Sequence, residues 1–418
     1  MKYYAFQFSA FSLRSASLIA RFLLIVVVAR ALPPEEFGFF MLYVAALQIG
    51  PAVASMDVYA ETTRLFLASP GQRQNILSRH FSFLALAGAI AGPIVGLAFY
   101  TYEGQFSIEV YYIFPALFLT ELFANDIARL LPPLRHPFAA SIFLFVRQIL
   151  PLSIVFTLDE IIESEVTLLG AILATYGATI PLVSIVLIVL RLRAYFLTLL
   201  KINLPWVLAT IHASIIFFSA TVAFRILFGI DRFIIASETG LATSGIYGLY
   251  VSFGLGIVSV LEAGVSAWKY PPFVQTILQR DSHLAIVQFK NFMITNLLSS
   301  ALLCISAYFA ISYIVKSFLE TSYQAGLPYL HWVVLGAIAI SASLPLHYLL
   351  FALRKDLYLL YIYSFSILAV GTYSFLFLNG GGIGEAFGMF VIASFAISIG
   401  RIIFSIGPLK SIYRGRWP

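Results

Sequence analysis

The sequence predicts an all-α integral membrane protein of about twelve transmembrane helices arranged as two six-helix halves. Three observations predict it. Hydrophobic residues make up 61% of the 418 positions and charged residues only 11%, with a mean hydropathy of +0.95. A helix that crosses a bilayer needs ~20 mostly apolar residues, and such stretches recur here about every 35 residues. They continue from one end of the chain to the other. That pattern excludes a cytosolic enzyme, a nucleic-acid binder and a single-pass receptor, and it leaves no room for a large domain outside the membrane.

In order along the chain, apolar windows bounded by polar, glycine or proline punctuation fall at 8–30, 38–60, 80–100, 108–128, 138–157 and 167–190. The second half repeats the rhythm at 206–228, 245–267, 292–315, 328–351, 357–378 and 385–407. The first window carries Arg14 and Arg21, and no small-residue cleavage site follows it, so it reads as a helix of the mature protein and not as a signal peptide. Pro51, Pro93, Pro115, Pro151, Pro181 and Pro345 interrupt otherwise continuous windows, which predicts bends. Cys304 is the single cysteine, so no intramolecular disulfide can form.

The loop charges give an orientation. With the N-terminus cytoplasmic, seventeen of the 25 basic residues fall on the inner side, and Arg30, Arg232 and Lys316 alone fall on the outer side. The remaining five are arginines inside the windows. Such an excess places both termini on the cytoplasmic side. The halves also resemble each other. Gly38-Phe-Phe-Met-Leu-Tyr-Val44 opens the second window and Gly245-Ile-Tyr-Gly-Leu-Tyr-Val251 the eighth, 207 residues on. Six helices separate the two copies, so they share an orientation, and the expected division is 1–200 and 201–418.

A charge in a spanning helix costs ~2.5 to 3.5 kcal/mol at the bilayer centre on insertion scales, so the charges kept there mark function or pairing. Arg14 and Arg21 recur seven residues apart after Gln7, with Ser17 between, on one face of the first helix. Two cations on one stripe suit an anion. Arg147 lies deep in the fifth window, and Arg225 shares a stripe with Ser214 and Thr221, near enough to Asp231 to pair with it. Arg401, near the inner end of the last window, is expected to snorkel. The acids inside the windows are Asp57, Glu121, Asp126 and Glu262. Glu121, Asn125 and Arg129 align at i, i+4 and i+8 as a polar ladder. Asp57 and Glu262 hold nearly matching places in the two repeats, as gate or cation-coupling groups or as ion-pair partners of Arg64 and Lys269. Tyr43, Tyr247 and Tyr250 are candidates for lining a glycan-sized cavity. The six histidines, His212, His331 and His347 among them, read as single packed or interfacial side chains.

Ala29-Arg-Ala-Leu-Pro-Pro-Glu-Glu-Phe-Gly38 resembles the N-terminal signature of bacterial polysaccharide flippases. Asp231-Arg-Phe-Ile-Ile-Ala236, followed by Gly245-Ile-Tyr247, resembles the same family's connection between the seventh and eighth helices. That family is the O-antigen and exopolysaccharide (Wzx-type) flippases of the multidrug/oligosaccharidyl-lipid/polysaccharide (MOP) exporter superfamily. The resemblance implies two six-helix lobes related by pseudo-two-fold symmetry around a central cavity, in the bacterial inner membrane. It implies undecaprenyl-diphosphate-linked oligosaccharide as the cargo, turned from inner to outer leaflet by alternating access. Arg14, Arg21, Arg147 and Arg225 would then receive the diphosphate and sugars, since guanidinium is a permanently charged fork for phosphate oxygens. Membrane lipids, a polysaccharide polymerase and glycosyltransferases are the expected partners, with no nucleic acid, cofactor or metal.

Three other functions compete. A peptidoglycan-precursor flippase would resemble this one chemically, but such proteins usually have two additional helices, for which the expected twelve windows leave no room. A drug or metabolite antiporter of the same superfamily would share the lobes but would carry a dominant acid-lined cation site. A membrane-embedded polysaccharide polymerase or ligase would need a large outer loop, and no convincing acid/base pair or metal-ligand cluster stands in the sequence.

Overall fold

The computed structural model describes residues 2–68, 70–102, 106, 108–131, 136–158, 167–189, 203–378 and 381–415. Its spanning elements follow the predicted windows. They are α1 (Lys2–Ala31), α2 (Pro34–Ser55), α3 (Arg73–Tyr102), α4 (Phe114–Leu130) and α5 (Pro137–Phe156). Next come α6, built from Leu168–Ile172, a π-helical turn Leu173–Gly177 and Thr179–Val189, and α7 (Leu204–Leu227), which Ile230–Thr239 continues. Helix α8 (Leu241–Leu261) passes through a π-helical turn, Glu262–Ser266, into Ala267–Leu278. The last four are α9 (Ser282–Phe318), α10 (Leu330–Ala342 then Leu344–Ala352), α11 (Asp356–Tyr373) and α12 (Ile383–Tyr413). Among the described residues, ten helices are long and apolar enough to cross a membrane, and the bent pair of α7 makes an eleventh. Helix α4, at 17 residues and carrying Glu121, Asp126 and Arg129, is not among them.

The outward surface shows why these helices need lipid. On α9, Ile294, Leu298, Leu302, Ile305 and Phe309 recur every three or four residues and are all exposed. Two of the prolines expected to bend helices open them instead: Pro115 stands at the start of α4 and Pro345 at the start of Leu344–Ala352, where a missing N–H is harmless. Pro51, Pro93 and Pro151 lie inside α2, α3 and α5.

The chain forms two compact units, residues 1–32 with 42–222 and residues 33–41 with 223–418. The boundary expected at 200/201 lies outside the described residues. In the first unit α1 packs along α5, and α3 packs against α4. The second contact is set by a stripe of small residues at i, i+4 and i+8. A methyl on Gly88 would stand 2.4 Å from Leu119, and methyls on Gly92 and Gly96 3.3 Å from Pro115 and Phe114. Small residues at this spacing let apolar helices approach closely in lipid, where van der Waals contact replaces the hydrophobic drive. Leu77, Phe81, Leu122, Phe123, Ile127 and Phe143 close the core around it.

In the second unit, the starts of α2 and α8 cross. A Cβ on Gly38 would lie 2.0 Å from the Leu241 carbonyl oxygen, and one on Gly245 would lie 2.4 Å from the Pro34 carbonyl oxygen. Residues 34 and 38 become 241 and 245 on adding the repeat offset of 207. The contact is therefore self-complementary, as at a two-fold axis, and only glycine permits it. The repeated tyrosines also match. Tyr43 donates to the Val110 carbonyl at 3.2 Å in the first unit, and Tyr250 to the Tyr323 carbonyl at 3.0 Å in the second, in each case to the connection that follows the repeat's third helix.

Gly38→Ala and Gly245→Ala are each expected to lower unfolding stability in detergent by about 1 to 3 kcal/mol, the range for overpacking. Gly256, in the same helix but with nothing within 4 Å of its Cβ position, supplies the control. Equal thermal midpoints for Gly245→Ala and Gly256→Ala would contradict the crossing.

Candidate functional site

Arg14 and Arg21 are exposed on α1, and the Arg14 Nε donates to Ser141 Oγ on α5 at 3.3 Å. Ser17, between them, is buried and returns its hydroxyl to the Leu13 carbonyl, so the arginines flank the buried face of α1. Gln7 is among residues whose side chains lie outside the described set. Arg147, also on α5, reaches α4. Its guanidinium pairs with Glu121 on α4 and donates to Asn125 Oδ1 at 3.1 Å. The structure thus brings Arg14, Arg21 and Arg147 into one unit, with Arg147 already holding an anion. Arg225 is half-buried in α7 and belongs to the second unit.

The acids of the first unit form the rest of this network. Asn125 Nδ2 donates to Glu121 Oε1 at 3.3 Å, which is the first rung of the expected ladder. The second rung is absent. Arg129 reaches Asp57 at 3.1 Å instead and lies over the Tyr59 ring, 4.7 Å from its centroid. Helix α2 ends there, with Met56 and Asp57 both at φ 46°, a left-handed conformation that L residues rarely adopt. The break turns the Asp57 carboxylate into the unit, where the residue is 1% exposed. The side chain of Arg64, one expected partner, lies outside the described residues. Asp126 faces His80. Its Oδ2 stands 3.0 Å from His80 Nε2, off the line of a directed hydrogen bond, and Thr62 Oγ1 meets the other ring nitrogen at 3.0 Å. Sequence reasoning missed His80 and Thr62. Nothing in their spacing from Asp126 signals the contact, because it joins three separate helices.

In the second unit, Glu262 begins the π-helical turn that interrupts α8 and is exposed. Turns of this type concentrate at functional positions because one extra residue disrupts the regular ladder. Glu262 interacts electrostatically with Arg401. The expectation that Arg401 snorkels is overturned: the residue is 2% exposed. It donates to Ser343 Oγ at 2.9 Å and to the Ile340 carbonyl at 3.4 Å, and a second nitrogen reaches the Tyr363 hydroxyl at 3.5 Å. Ile340 and Ser343 stand where α10 breaks, and the exposed carbonyls and dipole of a helix C-terminus attract a cation inward.

Three further expectations change. Arg232, read as an outer-loop cation, is buried, as is Asp231. The Asp231 carboxylate accepts from the Tyr247 hydroxyl at 2.5 Å and from the Arg232 backbone N–H at 2.9 Å, which leaves it to these partners and not to Arg225. Ser244 closes the motif by donating to the Arg232 carbonyl at 3.0 Å. The Asp-Arg and Gly-Ile-Tyr stretches are therefore one clasp between Ile230–Thr239 and α8. Nor do Tyr43, Tyr247 and Tyr250 line a cavity: each is fully buried with its hydroxyl donated inside its own unit.

No protein-family model and no curated protein sequence matches the chain. Solved structures do match it. An inward-facing multidrug resistance MATE family transporter of the MOP superfamily superposes with a TM-score of 0.65 at 11% identity, covering 97% of this chain and 95% of that one. MATE in complex with MaL6 gives 0.62 at 12%, covering 97% and 96%. The lipid II flippase MurJ, in an inward closed conformation, gives 0.61 at 15%, covering 98% and 89%. At such identities the likeness is one of fold. The chain has the all-helical, two-lobed fold of the MATE and MurJ transporters and is a multi-pass membrane protein.

Arg147→Met, which leaves Glu121 buried without its cation, is expected to destabilise the protein by about 3 to 5 kcal/mol, and adding Glu121→Gln should return most of that. Detergent unfolding of both single variants and the double variant measures it. Simple additivity would show that the pair is not coupled.

Proposed function

We propose that the protein is a flippase that carries undecaprenyl-diphosphate-linked oligosaccharide, an O-antigen or exopolysaccharide unit, from the inner to the outer leaflet of the bacterial inner membrane. The observation that carries this reading is the pair Arg14 and Arg21, exposed and seven residues apart on one face of a membrane helix. A diphosphate moving through hydrocarbon needs its charge matched, and two guanidinium forks offer that without any metal. Arg147 and Arg225 are assigned to the same ligand chemistry, Arg147 when Glu121 releases it. Asp57, Glu121, Asp126 and Glu262 are the coupling or gating acids. Both termini are cytoplasmic in this reading, which follows the loop charges, and polymerase and glycosyltransferase partners would act on either side of the transfer. The two stretches that resemble the Wzx-type family and the fold shared with a lipid II flippase support it.

A small-molecule or drug antiporter is the second reading, favoured by the multidrug transporters of the same fold. Exposed Glu262, an acid that could meet a cation, is the feature it would use. The fold shared with transporters supports transport, not chemistry on the glycan, as the activity.

In a bacterial host lacking its own flippase and supplied with this protein, Arg21→Ala should abolish glycan export at an undiminished membrane level of protein. Arg21→Lys should keep only part, because charge survives and the planar fork does not. Normal export by Arg21→Ala would remove the arginine stripe from the account, and drug resistance without glycan export would move the protein to the second reading.

A further inference from the structure

The two repeats place an acid at the same point in two different arrangements. Asp57 ends α2 and Glu262 ends the regular part of α8, 205 residues apart in a chain whose repeat offset is 207. At both points the helix is broken, by two left-handed residues in the first repeat and by the π-helical turn in the second. In the first, the acid is buried and closed onto an arginine at 3.1 Å. In the second, the acid is exposed, and a buried arginine stands behind it with no carboxylate within 4.0 Å among the described residues.

The Arg401 environment is an incomplete one for a cation. Its partners are a backbone carbonyl, a serine hydroxyl and a tyrosine hydroxyl, and its Nε has none. The α10 terminus supplies roughly half a unit of negative charge at most. An uncompensated ion in a low dielectric is strongly disfavoured, so a buried guanidinium with an unpartnered nitrogen favours any arrangement that brings a carboxylate to it. Glu262 interacts with it electrostatically and sits on the π-helical turn that interrupts α8. A π-helical turn holds one residue more than an α-helical turn, so converting one into the other swings the residue at its start by about 100° around the helix axis. The hydroxyls that now hold Arg401 can rotate to follow it. Gly264, with nothing within 4 Å of its Cβ position, leaves the turn room to do so.

We propose that Glu262 closes onto Arg401 in a second conformation of this unit, through rearrangement of the Glu262–Ser266 turn, so that the second repeat alternates between the open arrangement seen here and a paired one like that of Asp57 and Arg129. Arg401 is then the gating partner of Glu262, and the open state leaves the carboxylate available to a cation or a cationic group. The motion itself is independent of the cargo; its consequence for transport rests on the flippase or antiporter reading above.

Spin labels at Trp268→Cys and Ile402→Cys, both exposed positions flanking the pair, in a Cys304→Ala background, read the motion without any substrate. Two distance populations are expected in detergent or nanodiscs. Glu262→Gln should remove one of them, and Arg401→Gln should remove the same one. A single distance indifferent to Glu262→Gln would overturn the proposal, and that test stands even if Arg401→Gln fails to fold. For transport, each single variant should lose about tenfold or more, the double variant no further, and the exchange Glu262→Arg with Arg401→Glu should recover part. Independent, multiplying losses would mean that Arg401 only caps α10. Two distance populations in a protein that moves neither glycolipid nor drug would leave the gate standing and discard the transport readings.

Discussion

Compensation of charge away from water is the constraint on which this structure turns. In hydrocarbon a carboxylate or guanidinium has no solvent to fall back on, so each one retained inside a helix must find its partner on another helix. Glu121 and Arg147 tie α4 to α5, Arg129 ties α4 to the broken end of α2, and His80 and Thr62 bring α3 and the segment Val58–Ala68 to Asp126. The apolar contacts of the first unit gain their register from these pairs. Leucine and phenylalanine pack in many arrangements, whereas a buried ion pair tolerates few. The second unit meets the same constraint with neutral groups: Asp231 is satisfied by a tyrosine and by backbone, and Arg401 is met only in part, by hydroxyls and a helix end that leave its Nε without a partner.

The repeat explains why these solutions come in pairs. One helix start, duplicated 207 residues apart, crosses its own copy through glycines that exchange places, and the tyrosine five residues after each glycine holds the following connection. Each copy then breaks beside an acid. The acid is closed onto an arginine at the first break and exposed at the second. This asymmetry gives the fold two different arrangements from one element, a closed pair beside Asp57 and an open one beside Glu262. The arginines of α1, Arg14 and Arg21, are exposed on one face of their helix.

Much of the fold could be read in advance because lipid imposes a single demand, continuous apolar helix, and the windows follow from it directly. Contacts within one helix were also legible: Glu121 and Asn125 meet at i, i+4 as spacing predicts. The rest of the network was not, because Asp57 and Arg129 are 72 residues apart and their meeting depends on how helices pack. Arg401 shows the same limit. Its position near a helix end suggested escape to the interface, but the broken α10 offers carbonyl and hydroxyl partners that no local pattern reveals. The Asp-Arg and Gly-Ile-Tyr stretches carried a resemblance correctly to this fold class while marking a packing clasp, so their chemistry could not be inferred from their charge. The spacing of Gly88, Gly92 and Gly96 was visible in the sequence and is explained only by Leu119, Pro115 and Phe114 opposite.

The proposed role of the exposed guanidinium groups on the first helix is to serve a lipid-linked anion. It is tested most directly in proteoliposomes containing this protein alone, by following transbilayer movement of a fluorescent undecaprenyl-diphosphate oligosaccharide beside that of an organic cation. Movement of the glycolipid above protein-free vesicles is expected, and none of the cation. Movement of the cation with the glycolipid left in place would contradict it and identify an antiporter.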